Sequence, residues 1–129
     1  MPNDHDELLR RAYATFTSGD VDGYLALCTP DITFTVPGSN RVAGIYSRQE
    51  FRERLIPNVM GLTNGTFREV VLDVFTSDRG GVVRAEHTFD RNGRAYDFRT
   101  LHIYDIRDGK LASFQEVAED ARIFDEAWA

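Results

Sequence analysis

Two dipeptides, Asn92-Gly93 and Asp108-Gly109, restrict this chain more than anything else in it. Each interrupts a long β-favouring run, the first between 82–91 and 94–106, the second between 94–106 and 110–118. A two-residue hairpin turn needs positive φ at both central positions, which Asn, Asp and Gly tolerate. Both pairs therefore predict tight hairpins. A further run, 67–76, reaches the first through Asp78-Arg79-Gly80-Gly81, so the second half of the chain reads as an antiparallel meander.

The first half has a different period. Leu8, Leu9, Ala12, Tyr13 and Phe16 recur at intervals of three and four, which predicts a helix with one buried stripe over 4–18. Gly19 ends it, Asp20 stands at an N-cap position, and Val21, Tyr24, Leu25 and Cys28 give a second short helix that Pro30 stops. Residues 32–36 alternate as a strand. Ser47-Arg48-Gln49-Glu50 has the form of a capping box for a third helix, which Pro57 is expected to bend or end early. Asp120 can cap a last helix carrying Ile123, Phe124, Ala127 and Trp128. Helices first and a curved antiparallel sheet afterwards make an α+β domain, a cone with the N-terminal helices on its concave face.

Counting back from the turns gives a register. Asn92-Gly93 pairs Glu86 with Arg99, Arg84 with Leu101, Thr88 with Asp97 and Val82 with Ile103. Asp108-Gly109 is expected to pair Leu101 with Glu116, Ile103 with Phe114 and Arg99 with Ala118. One face then carries Arg84, Glu86, Arg99 and Glu116 beside Leu101, Ile103 and Phe114. The other carries His87, Phe89, Phe98, Thr100, His102 and Tyr104. Hydrophobicity alone does not say which face the helices cover, and a one-residue slip would exchange them. The aromatic face has the composition of a protein contact surface, so it is assigned to a second copy and the charged face to the cone interior. The competing reading leaves the charged face as an ordinary solvated surface.

Size and charge narrow the function classes. The 129 residues make a single domain, 1–129, and the net charge of −6 with interleaved basic residues argues against nucleic acid. The lone Cys28 fits a reducing compartment and a small buried side chain. No apolar run approaches the roughly 20 residues of a membrane span, and the N-terminal stretch 1–6 lacks the parts of a secretion signal, so no membrane partner is expected and the cytoplasm is the default. His87 and His102 have no third acidic or Cys ligand on their face in this register, so no metal is expected. Without a phosphate loop or nucleophile elbow, no cofactor is expected either.

The order of short motifs resembles a known family. Ser18-Gly19-Asp20-Val21-Asp22, Pro30-Asp31-Ile32-Thr33-Phe34, Ala43-Gly44-Ile45-Tyr46-Ser47 and Asp108-Gly109-Lys110-Leu111 are similar to the cone superfamily of nuclear transport factor two, ketosteroid isomerase and the SnoaL-like polyketide cyclases. The resemblance spans essentially the whole chain and implies the cone fold but says little about chemistry, because that superfamily mixes enzymes with non-catalytic members. Among its members the limonene epoxide hydrolases have an Arg-x-Asp and a last-strand Asp, onto which Arg84-Ala85-Glu86 and Glu116 fall. Phe34 and Val36 stand where those enzymes hold water with Tyr and Asn. The ketosteroid isomerase base falls on Val36, its oxyanion acid near Leu101 and its helix-one tyrosine on Ala12, which argues against steroid isomerisation by that route.

The expected site follows. Arg84, Glu86 and Glu116 are the candidate catalytic residues, one Glu as acid, the other as base, the guanidinium holding their protonation states apart. Tyr13, Phe34, Val36, Arg99, Leu101, Ile103 and Phe114 are the candidate ligand contacts. The expected occupant is a small, mostly apolar molecule undergoing isomerisation, cyclisation or water addition. The expected partner is a second copy on the His87/Phe98/His102 face. The alternative is a non-catalytic binding or dimerisation module of the same fold. Family analogy also makes Asp120 a candidate acid, against its plain role as a cap.

Overall fold

The computed structural model describes residues 4–129; residues 1–3, part of the stretch read for a secretion signal, lie outside the described residues. Helix α1 (Asp4–Thr17) buries Leu8, Leu9, Ala12 and Tyr13, and α2 (Val21–Ala26) starts where the Asp20 carboxylate accepts from the Gly23 N–H. Strand β1 is Cys28–Val36 and β2 is Gly44–Ser47. The third helix, α3, is composite: Arg48–Glu50, a π-helical turn Phe51–Leu55, then Ile56–Leu62. Its start is the expected capping box, Ser47 accepting from the Glu50 N–H and Glu50 from the Ser47 N–H. Pro57 does not end it. The wide turn, in which the Ile56 N–H reaches back to the Phe51 carbonyl, precedes the proline and lets the helix continue.

The meander follows as β3 (Arg68–Thr76), β4 (Gly80–Arg91), β5 (Arg94–Arg107) and β6 (Lys110–Ala118), before α4 (Ala121–Ala127). Among the described residues the strands make one open, six-stranded sheet in the order β2-β1-β6-β5-β4-β3, antiparallel except for β1 on β6. Asn92 and Asp108 have the positive φ that their turns demand. Asp120 is the cap of α4, its carboxylate accepting from the Arg122 and Ile123 N–H groups, which accounts for it structurally.

The β4–β5 register is as expected, with Glu86 opposite Arg99 and Arg84 opposite Leu101. The β5–β6 register is not. A bulge between Asp105 and Ile106 on one strand and Ser113 and Leu111 on the other inserts Ala112, so Leu101 faces Val117, Ile103 faces Gln115 and Thr100 faces Ala118. Because side chains alternate, one added residue turns Glu116 and Phe114 to the opposite face from Arg84 and Glu86. Glu116 lies opposite His102 instead.

The helices cover the aromatic face, contrary to its expected assignment to a second copy. Val83, Ala85, His87, Phe89, Phe98, Thr100, His102 and Tyr104 are all buried within the chain. Those side chains lie under α1 and beside Phe124 and Trp128, so the His87/Phe98/His102 face is core and not a subunit surface. The charged face is the outer wall. There Arg84 pairs with Glu119 at 2.6 Å and with Asp73 at 3.6 Å, and Arg99 pairs with Glu86 at 3.3 Å, in contact with solvent. Such exposed pairs contribute little, about 0–1 kcal/mol each. The bulges in β3, β5–β6 and β1 bend the sheet around the helices and open one end of the cone.

Candidate active site

Two cross-strand pairs stand on the concave face. On β3 and β4, Glu69 lies opposite His87, and Glu69 Oε2 is 2.8 Å from His87 Nε2. On β5 and β6, His102 lies opposite Glu116, with His102 Nε2 3.0 Å from Glu116 Oε2. Between them the facing residues are small, Ala85 opposite Thr100. That gap lets the two imidazoles lean toward one another, ring centres 5.5 Å apart. All four side chains are at least nine-tenths buried.

A chain of hydroxyls leads to this cluster from the helices. Tyr24 reaches Tyr104 at 2.9 Å, Tyr104 reaches Tyr13 at 2.7 Å, and Tyr13 reaches His102 Nδ1 at 2.5 Å. The Tyr24 hydroxyl meets only Tyr104, so its proton is satisfied only if it donates there. Tyr104 then donates to Tyr13, Tyr13 to His102 Nδ1, and His102 is a neutral imidazole whose Nε2–H donates to Glu116. Burial raises all three phenols well above the ordinary tyrosine value. The tyrosines therefore stay neutral and act as donors that hold one tautomer of His102.

Burial works against an ionised Glu116, but the hydrogen bond from His102, the charge of His87 and a hydrogen bond from Thr100 hold its pKa below the usual carboxylate value. For His87, burial opposes the cation, yet the hydrogen bond and charge of Glu69, with Glu116 behind it, raise its pKa. His87 Nδ1 is buried and has no hydrogen-bond partner.

Above the cluster is a cavity of about 90 Å³. Its walls are Phe16, Phe51, Leu55 and Val59 from the helices, Phe67 just before β3, Phe114 on β6, and Trp128 beyond α4. No Lys or Arg lines it, and the charge on His87 is answered by Glu69 and Glu116, so charged phosphates and carboxylates find no free counter-ion there. The polar floor and apolar walls match the general form of a small-molecule site.

The sequence-derived residues divide cleanly. Glu116, Tyr13, Val36 and Phe114 line the cavity, and Phe34 stacks on Phe51 at 4.1 Å just behind its wall. Arg84, Glu86 and Arg99 lie on the outer wall with Leu101 and Ile103, because β5 presents those two residues to the face opposite His102. The Arg84, Glu86 and Glu116 trio is not assembled. Glu69, His87, His102, Tyr24 and Tyr104 come together instead. The β4–β5 turn already put His87 and His102 on one face, and Phe67, Glu69 and Val71 alternate on β3; what was missed was that this face is the interior. Glu69 and Glu116 supply acidic neighbours to the histidines that the expected register denied them.

The SnoaL-like domain family model matches residues 9–114. Uncharacterised proteins of Mycobacterium tuberculosis and Mycobacterium bovis are 24% identical over 131 residues, covering all of both chains. Among solved structures, Bal32a from a soil-derived mobile gene cassette is 29% identical, with a TM-score of 0.89 over 98% of this chain and 97% of that one. A putative polyketide cyclase from Xanthomonas campestris is 21% identical, with a TM-score of 0.69 over 98% and 97%. At that identity the second likeness speaks for the fold. No helix among the described residues is long and apolar enough to cross a membrane.

Proposed function

This chain belongs to the SnoaL-like domain family, and from that premise we propose that its cone binds a small, uncharged, mostly aromatic molecule bearing an oxygen function and moves a proton on it. The observation that carries this reading is the Tyr24–Tyr104–Tyr13–His102–Glu116 chain ending at the cavity floor. Glu116 is the proton acceptor, and His102, held in one tautomer by Tyr13, supports its carboxylate as the proton arrives. The tyrosines orient. Apolar walls exclude water and strengthen each of these contacts. A putative polyketide cyclase on the same fold is compatible with such chemistry, as is a pocket that binds without reacting.

Trp128 is the only tryptophan and lines the cavity, so its fluorescence reports occupancy directly. Titration with 2-naphthol and with naphthalene should give saturable quenching by both, with Glu116→Gln weakening only the hydroxyl-bearing probe. Exchange of the α-protons of 2-tetralone with D2O, followed by NMR, tests the chemistry. Wild type should exceed Glu116→Gln by on the order of a hundredfold, and the outer-wall variant Glu86→Gln should match wild type. Saturable quenching without exchange would select the non-catalytic binding module. Quenching that does not saturate would reject the pocket reading altogether.

A second copy, the partner expected from the sequence, belongs in this reading on the other face of the sheet. Phe75, Ile103 and Val117 are exposed there, beside ion pairs of both signs. That mixture suits a self-complementary, two-fold contact.

A further inference from the structure

Two buried glutamates facing two buried histidines make an unusual balance of charge. With both imidazoles neutral the cluster carries two uncompensated negative charges, and burying even one costs several kcal/mol. Proton sharing is one way to reduce that cost. A single divalent cation, with both histidines neutral, is the other, and it neutralises the cluster completely.

The geometry points to a transition-metal site at Glu69, His87 and His102, with Glu116 beside it. One ligating atom from each of the three lies within 4.8 Å of the others. A tetrahedral site with bonds of about 2.0–2.2 Å has ligand-to-ligand edges of about 3.3–3.6 Å, so the widest separation closes by roughly 1 Å through side-chain rotation. The Glu69–His87 Nε2 contact, at 2.8 Å, is a hydrogen bond shorter than such an edge. Two imidazoles and a carboxylate suit Zn²⁺, Co²⁺ or Fe²⁺ and suit Mg²⁺ or Ca²⁺ poorly, since those prefer oxygen.

The surroundings supply what a bound imidazole requires. Metal-binding histidines use their second nitrogen in an orienting hydrogen bond. Both nitrogens of His102 have partners, Tyr13 at Nδ1 and Glu116 at Nε2, so whichever one meets the ion, the other remains held. His87 holds Glu69 through Nε2 and has a buried Nδ1 with no partner, a nitrogen an ion can take while Nε2 keeps its orienting hydrogen bond. The cavity above gives an ion its path in and leaves room for a further ligand on the open side. The site goes beyond the acid–base reading, which needs no ion.

The test uses full-length, tag-free protein stripped with chelator and titrated with Zn²⁺ by calorimetry and with Co²⁺ by visible absorption. One equivalent should bind, and Co²⁺ should give the ligand-field bands of a low-coordinate N/O site. Glu69→Gln and His87→Gln should each weaken binding by on the order of a hundredfold, while Glu86→Gln should leave it unchanged. A second measurement needs no variant: in wild-type protein Co²⁺ must shift the ring protons of His87 and His102 and spare those of His5, the third histidine, which is half-buried on α1 and bonded to the Ser77 carbonyl. Absence of one-equivalent binding, shifts confined to His5, or affinities unaffected by Glu69→Gln and His87→Gln in folded protein would each overturn the site. Such a failure leaves the 2-naphthol and 2-tetralone results, obtained with chelator present, standing on their own.

Discussion

Replacing Tyr13 with Phe removes one oxygen atom and breaks the hydroxyl chain at its centre. The ring stays, so packing changes little. Two buried groups lose their partners: His102 Nδ1 loses its donor, and the Tyr104 hydroxyl loses its acceptor. Each such orphan costs about 1–3 kcal/mol, which puts the loss at about 2–6 kcal/mol. For 129 residues the unfolding entropy is roughly 0.27 kcal/mol per degree, so Tm should fall by about 7–22 °C. Tyr24→Phe, at the end of the chain, takes away only the donor to Tyr104, and should cost about 0.5–1.5 kcal/mol. Urea and thermal unfolding of both variants, checked for unchanged far-ultraviolet circular dichroism, measure the difference. Equal losses for the two would refute the deduced direction of the chain, and a Tyr13→Phe loss below 1 kcal/mol would refute its burial.

The two dyads give stability a dependence on pH with a definite sign. The His87 pKa is raised from 6.5, so its contribution is complete below 6.5 and fades as pH rises through the folded value. The Glu116 pKa is lowered from 4.5, so its contribution is complete above 4.5 and fades as pH falls through the folded value. Glu69 and His102 face these groups from β3 and β5. Tm in chelator-containing buffer should be highest between those ordinary values, and His87→Gln should flatten the alkaline limb; an unaltered limb contradicts the His87 assignment. On the outer wall, Phe75→Glu should abolish any dimer seen by light scattering without moving the Trp128 titration. A dimer that survives both this change and Ile103→Glu lies elsewhere.

Much of the architecture was legible in local chemistry. The Asn92-Gly93 and Asp108-Gly109 turns, the Ser47 capping box and the Asp120 cap rest on contacts within a few residues, and each formed as its residue types require. The parallel pairing of β1 with β6 and the short β2 left no such mark, because non-local pairing depends on the whole sheet.

The site was only half legible. Period-two alternation groups residues into faces, and it grouped His87 with His102 correctly. It cannot tell inside from outside when one face carries Arg84, Glu86 and Arg99 with Leu101 and Ile103 and the other carries His and Thr with aromatics. That choice was made by the helices, whose apolar stripe of Leu8, Leu9, Ala12 and Tyr13 packs where aromatic rings and small residues accept it. The single extra residue at Ala112 decided the rest, since one step along a strand moves Glu116 from the outer wall to the cavity floor. Sequence alone determined the hairpins, the helix caps and the shared faces of β4 and β5 through short-range forces. Only tertiary packing decided which face became the interior, and hence which acids and bases meet.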